Sequence, residues 1–203
     1  QNFDMNAFLN HEIDAASAMT YNEMAQVFET VGADGAFPVY TADDVNVLDF
    51  NEDGTAMLED LIFAQAGWLA EEGNEEIAIK FLRASFRGWI YCRDNPDDCV
   101  GFVLEAGPTL GEGHQKWQMN EINKLVWPSA SGIGITDADA FATTAQIALD
   151  YGVISTAAEG DGVSYRNDLA QAALDSLQAD MADLDVMGAD YAAPVVEITA
   201  NGE

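Results

Sequence analysis

Cations are what this chain has least of. Seven Lys and Arg stand against 36 Asp and Glu, a formal net charge of −29. Such a surface repels phosphate backbones, which sets nucleic acid aside as a partner. The carboxylates are dispersed through segments of folded character, so a disordered acidic tail does not account for them. Histidine is scarce too: His11 and His114 stand far apart in sequence, and no Ser-His-Asp or Cys-His set is evident. Two cysteines, Cys92 and Cys99, cannot make a four-ligand zinc site. No apolar run reaches the roughly 18 residues of a membrane-spanning helix. The chain opens at Gln1 with neither Met nor a basic-then-apolar leader, and is expected to be a processed or partial chain.

What is present is enough for a core. Hydrophobic residues make up 49% of 203, which fits one domain or one and a half. The most informative stretch is residues 75–100, EEIAIKFLRASFRGWIYCRDNPDDCV. Ile77, Phe81, Ala84, Gly88 and Cys92 recur at helical spacing, and Leu82, Phe86 and Trp89 widen the stripe, so more than one side is expected to be covered. Gly88 inside a helix costs about 1 kcal/mol against Ala, which points to close backbone packing there. Lys80, Arg83, Arg87 and Arg93 are expected to pair with carboxylates. Cys92 and Cys99 flank the break at Asn95-Pro96, where a tight turn can bring them to disulfide distance; two buried thiols are the alternative. The charge balance fits a protein that works in high salt, where self-repulsion is screened.

Along the chain, residues 4–10, 24–30, 66–73, 97–106, 114–127, 137–151 and 165–184 predict helices, with Pro128 stopping one and Thr136 capping another. Residues 13–19, 45–50, 57–65 and 195–199 predict strands. Strands early and helices late give an α/β class with the sheet only partly present. Residues 49–60 nearly spell a calcium loop, but Asp60 stands where Glu belongs and the preceding flank reads as strand; a turn between strands is the other reading. Gly132-Ile133-Gly134 lacks the third glycine of a phosphate loop, and Asp137 and Asp139 would repel phosphate. Trp68, Trp89, Trp117 and Trp127 read as core residues.

Tyr21, Asn22 and Glu23 follow the strand expected at 13–19, and in open α/β sheets ligands bind at strand carboxyl ends. A ring to stack, an amide that donates and accepts, and a carboxylate suit a flat, amine-bearing heterocycle. Helix capping by Thr20 or Asn22, with Glu23 as a first-turn charge, explains the same residues.

Four stretches in order, DAASAMTYNE, DGTAMLEDLIFA, FLRASFRGWIYCRDNPDDCV and NKLVWPSASGIGI, resemble the solute-binding proteins of bacterial ABC transporters in the thiamine-pyrimidine-precursor and riboflavin-uptake group, relatives of the yeast thiamine pyrimidine synthase. The resemblance runs from about Phe3 to Val186. It implies part of a type II periplasmic-binding-protein fold with two α/β lobes. Residues 1–50 would be a second-lobe segment with the cleft loop, 51–65 a hinge crossover, and 66–203 a helical return onto the first lobe with a tail. About a hundred first-lobe residues would then be missing before Gln1. The expected ligand-binding residues are Tyr21, Asn22, Glu23 and Asp60, for a thiamine pyrimidine precursor or a flavin. The yeast enzyme's cysteine-rich iron motif is not seen, so a binding protein without cofactor or chemistry is expected. It would be a monomer in the periplasm or at the cell surface, secreted or lipid-anchored, delivering ligand to an ABC permease. An acidic surface-layer or matrix protein using the same fold is the rival, and an acidic enzyme on that fold the third reading.

Overall fold

The computed structural model describes every residue from Gln1 to Glu203. Helices cover 46% of the chain. They are α1 (Asn6–Leu9), α2 (Glu23–Phe28), α3 (Ala66–Leu69), α4 (Asn74–Asp94), α5 (Pro96–Ala106), α6 (Glu112–Val126), α7 (Ala138–Asp150) and α8 (Asn167–Asp180), with short 3-10 turns at Ala42–Asp44 and Ala200–Gly202.

The α/β, two-lobe expectation is overturned. There is no sheet, and the only β pairing is one isolated bridge between Asp161 and Tyr165. The stretches 13–19, 45–50, 57–65 and 195–199 carry no strand. A strand holds its shape by exchanging backbone hydrogen bonds with a partner, and none is supplied. Every residue of 57–65 is exposed, and Leu58 N donates to a side chain, Thr144 Oγ1, at 2.8 Å. Residues 13–19 are largely exposed as well; the Gln1 amide reaches across to Ser17, accepting from its N at 2.9 Å and donating to its O at 2.7 Å.

The helices, by contrast, carry their own signals. Glu75 and Glu76 lie in the first turn of α4 and Arg93 in its last, each charge complementing the helix dipole. Asn95 leaves helical geometry ahead of Pro96, which opens α5 at a position where its missing N–H costs nothing. Cys92 and Cys99 are joined across this break, with Cα atoms 5.5 Å apart. The cap of α7 is Asp137, whose carboxylate accepts from Ala140 N at 2.8 Å, rather than Thr136; Thr136 instead exchanges backbone hydrogen bonds with the Asn167 amide at 2.8 and 2.9 Å.

The chain divides into two compact units, and it passes between them more than once. The first comprises Gln1–Val47, Tyr91–Pro128 and Ala189–Glu203. Its core gathers Met5, Val27 and Phe28 with Phe8, Leu9, Met24, Tyr40, Val45 and Ile198. Here α5 packs on α6, and α6 packs on the C-terminal 3-10 turn. Gly113 permits that approach: a Cβ there would lie 1.9 Å from Thr199 Oγ1. The second unit comprises Leu48–Ile90 and Ser129–Gly188. It buries Phe86, Ile90, Ile133, Leu169, Leu174, Leu177 and Val186. Gly134, at φ +82, leaves room for the Phe86 ring, which would stand 2.1 Å from a Cβ.

Part of the helical stripe read from the sequence is uncovered, although Phe86, one of the residues that widen it, is buried. Ile77 and Phe81 are 53% and 59% exposed, and Gly88 has open space around it. The buried side of α4 carries Phe86 and Ile90, with Arg83 donating to Ser176 on α8 at 2.8 Å. The cations pair as expected with one exception: Lys80 meets Glu76, Arg83 meets Asp180 and Arg93 meets Asp94, while Arg87 is exposed without a carboxylate. Of the tryptophans only Trp127 is buried, beneath the Arg93 guanidinium at 4.6 Å; Trp68 and Trp89 are exposed by more than a third.

Candidate functional site

The site grows from α2, a six-residue helix too short to hold itself together in water. Its two ends are fixed by side chains from elsewhere in the first unit. Asn22 occupies the N-cap position but makes no cap hydrogen bond. Its Oδ1 lies 3.0 Å from His114 Nε2 and accepts from Gln26 Nε2 at 3.2 Å. At the far end, Glu29 is buried at 7% exposure, and both its carboxylate oxygens lie 2.9 Å from His114 Nδ1. One imidazole from α6 thus bridges both ends of α2. The backbone joins in: Asn201 N donates to Glu29 O at 2.8 Å. Trp117, one turn beyond His114, donates from Nε1 to Thr20 O at 3.0 Å and fixes the loop that precedes Tyr21.

Each residue expected at the site has a definite place. Tyr21 and Asn22 are half-buried and precede α2, so they follow a coil rather than a strand end. Glu23 is buried; its Oε2 turns back to accept from Met19 N at 3.0 Å, closing the turn in front of the helix. Asp60 belongs to the second unit, is exposed, and has φ 42. Asp49 Oδ1 accepts from Asn51 N and Nδ2 at 2.8 and 2.9 Å, which makes 49–54 a turn closed by its own side chain. No group of three or more His, Cys, Asp or Glu is gathered closely enough to hold a metal ion.

Beside the first turn of α6 lies an open cleft of about 490 Å³, lined by Asp97, Glu112, Gly113, Lys116, Val195 and Thr199 among others. The Glu112 carboxylate holds the Lys116 ammonium above the ordinary lysine range, and is itself held below the usual carboxylate range. Burial raises the Tyr191 hydroxyl above its ordinary value.

Residues 1–99 match the family model described as NMT1/THI5 like. This NMT1/THI5-like segment is just under half of the chain. It contains Tyr21, Asn22, Glu23, Glu29, Asp60 and both cysteines, and it excludes His114. No curated protein and no solved structure matches the chain. No helix is long and apolar enough to cross a membrane.

His114 and Glu29 went unread in the sequence because their contact joins residues 85 positions apart, and the His114–Asn22 contact 92. The one local hint is that Asn22 and Glu29 bracket a short apolar helix that needs outside support.

Proposed function

We propose that the chain is the ligand-holding part of an extracytoplasmic solute-binding protein of an ABC importer, taking a vitamin-related heterocycle. A thiamine pyrimidine precursor is the first candidate and a flavin the second. The observation that carries this reading is that the NMT1/THI5-like segment includes Tyr21-Asn22-Glu23, and that Asn22 and Glu23 are held by an organised polar array. In the NMT1/THI5-like family, binding proteins for vitamin-related ligands are represented. The role is binding and delivery to a permease, without chemistry, by a monomer at the cell surface or in the periplasm.

The residues divide the work by their chemistry. Tyr21 offers a ring face for stacking. Asn22 offers one end of its amide while the other is turned to His114. Glu23 spends Oε2 on Met19 N and keeps Oε1 for an exocyclic amine. Native mass spectrometry of the purified full chain tests the reading: one heterocycle per chain is expected after incubation with a 4-aminopyrimidine or riboflavin. Tyr21→Ala is expected to weaken that binding by about tenfold, the scale of one lost stacking contact. A chain that takes up neither compound contradicts the reading.

A further inference from the structure

The array around His114 contains a conflict of hydrogen-bond roles, and its resolution has a consequence for recognition. An ionised carboxylate only accepts, so the Glu29 oxygens, both 2.9 Å from Nδ1, require Nδ1 to carry a proton. In a neutral imidazole the other nitrogen is then an acceptor. Yet Nε2 stands 3.0 Å from Asn22 Oδ1, an acceptor that already receives the Gln26 amide at 3.2 Å. With Glu29 ionised, two arrangements satisfy all the groups. With a proton on Nε2 the imidazolium donates to Asn22 Oδ1, and Asn22 Nδ2 points away as a donor. Without that proton the Asn22 amide turns over, Nδ2 donates to both Nε2 and a reversed Gln26 amide, and Oδ1 points away as an acceptor.

We propose that His114 is a positioning residue whose proton state sets which end of the Asn22 amide a bound heterocycle meets. A donor end selects a ring nitrogen or carbonyl oxygen, and an acceptor end selects an exocyclic amine or ring N–H. The specificity of the site is thereby coupled to the charge of the imidazole. The charged group that meets the ring is Glu29, at the C-cap of α2, while Glu112 and Lys116 stand two residues to either side of His114 on α6 and pair with each other, and the C-terminal turn brings Gly202 against His114 and Glu29. Gly202 keeps the C-terminal turn close, since a Cβ there would meet His114 Cβ at 2.8 Å.

This inference rests on the heterocycle reading for its ligand half, while the relay itself can be measured without ligand. In the nitrogen-15-labelled full chain, a through-hydrogen-bond coupling between Asn22 Nδ2 and His114 Nε2 is expected in the neutral imidazole, at high pH, and not in the imidazolium, at low pH. An Nε2 that stays protonated at the higher pH, or an Asn22 amide unchanged between the two, overturns the relay. The ligand half is read as the ratio of affinities for a 4-aminopyrimidine and a pyrimidin-4-one at one pH. Glu29→Gln keeps the shape but removes the charge that fixes the tautomer, and is expected to move that ratio by about tenfold, one hydrogen bond's worth of discrimination. His114→Gln, which restores an amide that can donate to or accept from Asn22, is expected to move it less. A ratio that stays within about twofold in both variants overturns the specificity role. If the wild type binds neither probe, the heterocycle reading falls and takes the specificity role with it, whatever the coupling shows.

Discussion

Two isoleucines on α4 teach different lessons. Ile90 is 2% exposed, and Ile77, on the same helix, is 53% exposed. Ile77 belongs to the regular stripe Ile77, Phe81, Ala84, Gly88 and Cys92, which is uncovered as far as Gly88, while Ile90 shares the buried side with Phe86. Periodicity reports that a face is apolar; it does not report that something lies on it. On the other face of α4, the Phe86 ring lies against Gly134 and Arg83 is tied to Ser176, both contacts between residues far apart in the sequence. An apolar face without such ties stays open to water.

Mutation separates the two faces of α4. Ile90→Ala opens a cavity in the second unit and is expected to cost about 2–5 kcal/mol in chemical denaturation. A cost below about 1 kcal/mol would mean that the site collapses freely and that the buried face is not a packed core. Breaking the Cys92–Cys99 bond comes next. The chain-entropy relation for a loop this short gives about 2.5 kcal/mol, so the Cys92→Ser/Cys99→Ser variant should melt lower by several degrees. Peptide mass mapping without reductant checks the bond itself, and two free thiols would remove it.

Gly88→Ala sharpens the contrast in the opposite direction. Nothing lies within 4 Å of a Cβ placed there, so the helix should gain up to about 1 kcal/mol from the better helix former. A loss would mean that Gly88 faces a packed backbone after all. Ile77→Ala and Phe81→Ala should stay within about 0.5 kcal/mol of wild type, as exposed substitutions do.

The smallest effects belong to exposed ion pairs. Arg166 holds the Asp168 carboxyl below its ordinary range, so this group's contribution is present above the unfolded carboxylate pKa. It is lost as the pH falls through the lower folded value. Salt weakens the same pair but also screens the repulsion among 36 carboxylates, and the second effect should win. Melting temperature is therefore expected to rise from about 0.05 M to about 1 M chloride at neutral pH. A flat or falling trend would count against adaptation to brine.

The sequence was most legible where a signal is local. Acidic first turns, Pro96 at the start of α5, Pro128 after α6 and the cysteines around Asn95 each act within a few residues, and the helices they mark are present. It was least legible where a structure needs a distant partner. Residues 57–65 have the apolar composition of a strand, but strand character is completed by a neighbour, and here every one of them is exposed. The candidate site divides in the same way. Tyr21, Asn22 and Glu23 stand out as a chemically useful run beside a helix start. His114, which holds two ends of that helix, carries no mark in its own neighbourhood and emerges only when α6 is placed beside α2.

Asn22, held by His114, is the group we propose a heterocyclic ligand meets. Titration calorimetry of the full chain with a 4-aminopyrimidine, wild type against Asn22→Ala, tests it most directly. Saturable binding of one ligand per chain is expected, weakened by about tenfold in the variant, the scale of a single buried hydrogen bond. Equal affinity in the two proteins, or no binding in the wild type to either the aminopyrimidine or riboflavin, would contradict it.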